Sequence, residues 1–163
     1  MRILLRSLLY LALIVWLGAE IFFPGVAAIT FQTLRPDTHT AGTIVGQLLR
    51  ILHGMGIISA LVVLALLALA PAFGLYKPNA VLAPMILVVL MLALVVYSQF
   101  GITPAMERDR IAAGGAIDTS DQSNQITAHF NKLHNRSERI EGTIMLLGVV
   151  TVVLIAWAES AKT

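Results

Sequence analysis

Charged and polar positions are sparse along this chain, and they divide it into four long apolar stretches. Residues 8–30 form a 23-residue run with one charged position, Glu20, near its middle. Residues 41–70 form the second stretch, interrupted by Arg50 and His53, and residues 79–103 form the third, with no acidic or basic side chain. The fourth has an uncharged core of only 17 residues, 142–158, and borrows the turn before it, giving a span of about 138–158. A helix needs roughly 20 mainly apolar residues to cross the hydrocarbon of a bilayer. The pattern therefore predicts an all-α polytopic membrane protein, an antiparallel bundle of four transmembrane helices in a single membrane domain.

The connections are unequal. Residues 34–40 and 71–78 are short, which favours antiparallel neighbours, and Pro71 opposes continuation of the second helix. Residues 104–141 are long and polar and hold 11 of the 20 charged residues. Within them Gly114-Gly115 and 118–123 read as linker and helix start, with Thr119 and Gln122 as a capping box. Ile126, Phe130, Leu133, Ser137 and Glu141 then recur at three- and four-residue steps. They predict an amphipathic helix within the 104–137 segment, starting near Asp121 and running into the last span.

Composition sharpens the class. The 163-residue chain is 58% hydrophobic and 12% charged, too apolar for one small water-soluble core. A net charge of +2 without a basic stripe argues against nucleic acid as a partner. There is no cysteine, which excludes disulfides and thiolate metal sites. Arg2 and Arg6 precede the first run as in a secretion signal, but the run exceeds the 7–15 residues or so of a cleavable one and reads as a span. Four spans put both termini on one side. Arg2, Arg6, Lys77 and Lys162 favour a cytoplasmic N-terminus, while Arg35, Arg108, Arg110, Lys132, Arg136 and Arg139 pull the other way. N-in is the expected topology.

The candidate chemistry lies in the interruptions. A charged side chain deep in a span costs about 2.5–3.5 kcal/mol on insertion scales, so it faces a partner or a cavity. Glu20 would be neutral with a proton, or ionised beside Arg50. Gly42, Gly46, Arg50 and His53 share a broad face of the second helix, where glycines allow close helix approach. Tyr97 and Gln99 end the third span on the same membrane side. Before the fourth, His134 and Glu138 stand at i, i+4 with Ser137 and Glu141 alongside. Imidazole with carboxylate suits a transition metal, so His53, His134, Glu138 and Glu20 form a candidate ligand set. Haem between His53 and His134 is a further option. His39 and His129 read as surface residues. Nothing resembles a phosphate-binding loop, a dinucleotide fingerprint or a hydrolytic triad.

The chain resembles the transmembrane protein 205-like family. The matching pieces are Trp16 to Gly18 with Phe31, Gly42 and His53, then Pro104, and above all Phe130-x-x-Leu133-His134-x-x-Ser137. The chain departs from that pattern at Glu141, where the family has an amide. The resemblance implies a four-helix membrane protein, with His53 and His134 on family positions, and one member's link to platinum-drug resistance suggests metal or small-solute handling. Three functions follow as expectations. The first is a one-sided polar pocket of Glu20, Arg50, His53, Tyr97, Gln99 and Ser137 that binds or passes a metal ion, proton or small solute. The others are a metal- or haem-dependent membrane oxidoreductase, and a structural subunit of a homo-oligomer or membrane complex.

Overall fold

The computed structural model describes residues 1–114, 117 and 125–160. The expected capping box at Thr119 and Gln122, the helix start near Asp121, Gly115 and Lys162 lie outside the described residues. The helices are α1 (Arg2–Thr33), α2 (Thr38–Leu69), α3 (Pro78–Tyr97), α4 (Thr103–Ala112) and α5 (Gln125–Ser160). A π-helical turn, Ser98–Ile102, joins α3 to α4, so that Pro78–Ala112 is one continuous rod and one of four helices long and apolar enough to cross a membrane. The protein is a multi-pass integral membrane protein whose apolar helices require a lipid bilayer. At 32 residues, α1 and α2 each reach roughly 48 Å, more than the hydrocarbon thickness, so their ends project.

Local chemistry explains the breaks. Asp37 caps α2 by accepting from the Thr40 N–H at 2.9 Å, and its bonds to Thr40 hold its carboxyl below the ordinary value. After Pro71 a turn closes on Gly74 at φ +63°, a left-handed conformation that favours glycine. Inside α1, Pro24 has no N–H to offer the Glu20 carbonyl four residues back, which leaves that carbonyl without its helical donor.

The expected end of the third helix at residue 103 is corrected by the π turn. The Thr103 N–H reaches the Ser98 carbonyl five residues back, and Thr103 Oγ1 donates to the same oxygen at 3.0 Å. Pro104 then falls in the first turn of α4, directly after the π turn, and the helix continues through it although its N–H is missing. Much of the stretch expected as loop is therefore helix.

Helix α1 packs on α2, α2 on α3, α3 on α5 and α4 on α5, while α1 meets α5 over a shorter seam. The core joins Leu13, Trp16, Val63, Val88, Met91 and Ile144. Outward positions such as Ile21, Phe22, Ile58, Ile86, Leu146 and Val153 are exposed along the spans, where lipid is their solvent. The end that carries both termini is tied across helices. Arg6 Nε pairs with Glu159 at 2.9 Å, Tyr76 donates to the same carboxylate at 3.0 Å, and Arg2 Nε donates to the Phe73 carbonyl at 2.9 Å. Burial, then the bond to Glu159, pushes the Tyr76 phenol well above its ordinary value.

Candidate functional site

One cluster of polar side chains sits among apolar neighbours and is built from every spanning helix. On α1, Trp16 and Glu20 are one turn apart, and the indole Nε1 donates to Glu20 Oε1 at 3.2 Å. The indole fits because α2 carries Gly56 opposite it, where an added Cβ would lie 2.9 Å from Nε1. On α2, the fully buried His53 holds Gln99 Oε1 at 2.9 Å from Nδ1 and Glu141 Oε1 at 2.9 Å from Nε2. Ser98 Oγ donates to the same Glu141 oxygen at 3.2 Å. Both ring nitrogens face oxygen, so an imidazolium donates twice. If the Gln99 amide turns over, a neutral ring still donates Nε2–H to Glu141.

The cluster leaves acceptors over. Glu141 Oε2 is buried with no hydrogen-bond partner among the described residues. Glu20, only 4% exposed, lies within hydrogen-bonding reach of Glu141 and interacts electrostatically with it and with His53, so a proton on either carboxyl bridges the two. The cluster thus sets two carboxyls and one imidazole against each other where water does not screen them.

Both carboxyls face a cavity of about 730 Å³ between α1, α2, α4 and α5, in the half of the bundle away from the termini. Its walls are largely apolar, with Phe23, Phe31, Leu49, Met106, Phe130 and Met145 among them. Gly42 and Gly46, expected to bring helices together, instead line this space, and nothing lies within 4 Å of a Cβ built on Gly46. The two cavity-lining charges of α4 neutralise each other, Arg110 Nη2 pairing with Glu107.

The expected residues divide into those that meet and those that do not. Glu20, His53 and Gln99 come together, and Ser137, 5% exposed, lines the cavity. Arg50 lines it too but is exposed and makes no ion pair with Glu20 among the described residues, so of the two alternatives for Glu20 the pair with Arg50 is not the one formed. Tyr97, 46% exposed, accepts from Arg136 Nη1 at 3.0 Å and stands outside the cluster.

His134 and Glu138 pair with each other at 3.3 Å on the exposed rim, and the His134 ring stacks on Phe130. His53 and His134 therefore do not face each other, because the nitrogens of His53 are already taken by Gln99 and Glu141. Among the described residues no group of three His, Cys, Asp or Glu is arranged to hold a metal ion. His129, expected as a surface residue, pairs with Asp109 at 2.7 Å and ties α5 to α4.

Sequence reasoning missed Glu141 as a partner of His53 and Ser98 as a second donor to Glu141. A signal existed for Glu141, which continues the inward face of Phe130, Leu133 and Ser137. Ser98 carries none, because a serine at a span end also occurs as a helix-internal hydroxyl.

No curated protein and no solved structure matches the chain. The pattern of a domain of unknown function, DUF4149, matches residues 11–111, more than half of the chain, and takes in Trp16, Glu20, His53, Ser98 and Gln99 while stopping short of α5. This four-helix membrane protein belongs to the DUF4149 family, a family whose function is uncharacterised.

Proposed function

We propose that the protein binds a small solute in the cavity between α1, α2, α4 and α5, with Glu20 and Glu141 as its polar floor. The observation that carries this reading is the orphaned Glu141 Oε2 beside a cavity of about 730 Å³. A buried acceptor left without a donor costs about 1–3 kcal/mol, and a bound donor removes that cost. Cavities of about 300–1,000 Å³ are the usual size for small-molecule sites. With the N-terminus cytoplasmic, the cavity opens toward the opposite side, and the ties among Arg6, Tyr76 and Glu159 close the cytoplasmic end. The resemblance to the transmembrane protein 205-like family, through Trp16, His53 and the Phe130 to Ser137 motif, supports small-solute handling within this family. A metal reading draws less support, since the floor presents two carboxyls whose imidazole neighbour is already bonded on both sides.

The cysteine-free chain is a ready background for the test. Ala27→Cys and Gly46→Cys place thiols on the cavity wall, and Ile58→Cys and Leu82→Cys place them on the lipid face. A charged maleimide is expected to label the first pair from one side of a sealed vesicle and to spare the second. Labelling of the cavity thiols from both sides, or from neither, would overturn the one-sided cavity.

A further inference from the structure

We infer that the occupant of this cavity is an organic cation, a protonated amine carried on an apolar, aromatic body. This rests on the solute-binding reading above and names its ligand class. Hydrogen-bond accounting is the first argument. Glu141 Oε1 is engaged by His53 and Ser98, Oε2 has no partner, and Glu20 uses one oxygen for Trp16. The Glu20 backbone carbonyl adds another acceptor, since Pro24 denies it a helical donor and itself lines the cavity. When neither carboxyl carries a proton, acceptors at the floor outnumber the N–H and O–H groups that reach them. A carboxylate or a carbonyl ligand would bring more acceptors and leave Glu141 Oε2 as it is.

Charge is the second argument. Around the cavity, Glu107 is paired with Arg110 on α4, and His134 with Glu138 on α5. His53, on α2, is committed to Glu141. Arg50, also on α2, lines the cavity from an exposed position, whereas Glu20, 4% exposed, and Glu141 stand together at its floor. A bound ammonium would replace the proton that the two neighbouring carboxyls otherwise share and leave both of them ionised. Gln99 and Ser98, from the π turn, bring no charge to the cluster.

Shape is the third argument. A bare ion would occupy a small part of about 730 Å³ and leave the apolar wall wet. Phe23 and Phe31 on α1 line the cavity, and aromatic rings attract cations as well as apolar groups. An ammonium set against Glu141 Oε2, with an aromatic body along α1, satisfies all three conditions.

The test uses the full chain in nanodiscs and three matched probes: diphenylpropylammonium, diphenylpropionate and diphenylpropanol. Binding is read by equilibrium dialysis, and by Trp16 fluorescence in a Trp157→Phe background, since these are the chain's 2 tryptophans. The ammonium is expected to bind about tenfold or more tightly than either other probe, the effect of one charge-assisted hydrogen bond. Glu141→Gln and Glu20→Gln are each expected to weaken the ammonium by a similar factor and leave the alcohol unchanged. Equal or tighter binding of the propionate or the alcohol would overturn the cation class, as would ammonium affinity unmoved in both variants. The comparison in the unaltered protein holds even if a variant fails to fold.

The two readings fail differently. If the alcohol binds best and protects the cavity cysteines, the cation class falls and solute binding stands. If no probe binds while the cysteines label, the cation class falls. If the cysteines do not label either, solute binding falls with it.

Discussion

An imidazole with no access to solvent must satisfy both nitrogens from the protein, and His53 does so with Gln99 on one side and Glu141 on the other. Removing it deprives two buried oxygens at once. His53→Ala is expected to cost about 1–3 kcal/mol for each group left unsatisfied. Ser98→Ala, which removes one of the bonds to Glu141, should cost about 0.5–1.5 kcal/mol. Denaturation in detergent, followed by circular dichroism, checks both, and equal losses for the two variants would contradict this arrangement. The burial of Glu20 and His53 was legible because ionisable groups inside apolar runs are expensive and need a partner. Glu141 stood at the edge of its span, where a carboxylate is cheap, so its burial could not be read from position. Arg50 misled for the converse reason: it interrupts an apolar run, yet it is exposed and forms no ion pair with Glu20 among the described residues.

The contact between α1 and α2 turns on glycine spacing. An added Cβ at Gly56 would meet Trp16 at 2.9 Å, while nothing lies within 4 Å of one at Gly54. Gly56→Ala is therefore expected to cost about 1–3 kcal/mol by overpacking and to weaken the Trp16 bond to Glu20, and Gly54→Ala to be neutral or stabilising. Thermal melts, with the Trp16 emission maximum as the local readout, distinguish the two. A neutral Gly56→Ala would sink this account of the seam. At this scale the apolar runs revealed the four spans, since length and hydropathy suffice for that. The continuation through Pro104 was hidden. Proline ordinarily ends a helix, and only the extra residue of the π turn, bridged by Thr103 to Ser98, lets this helix resume. Nor could spacing tell that Gly42 and Gly46 border a space, because small residues serve close packing and open cavities alike.

Across the whole molecule the two ends are built differently. The end with the termini is tied through Glu159 to Arg6 and Tyr76, and the other end is divided by the cavity. The raised Tyr76 phenol makes the tied end pH-sensitive in the alkaline range. Ionisation is opposed in the fold and unopposed in the unfolded chain, so this contribution is full below the ordinary phenol value of about 10 and is lost as pH rises through the folded value. Melting temperature is expected to fall above that range, and to fall less steeply in Tyr76→Phe; identical pH profiles would exclude the phenol as the cause. The π turn has a consequence of its own for the opposite end. Each residue of an α-helix advances the chain by about 100° around the axis. The extra residue between Ser98 and Ile102 thus sets the rotational phase of α4. Wound as plain α-helix through Ser98–Ile102, the same sequence would turn Glu107 and Arg110 about 100° off the cavity, so the π turn decides which face of α4 forms this wall.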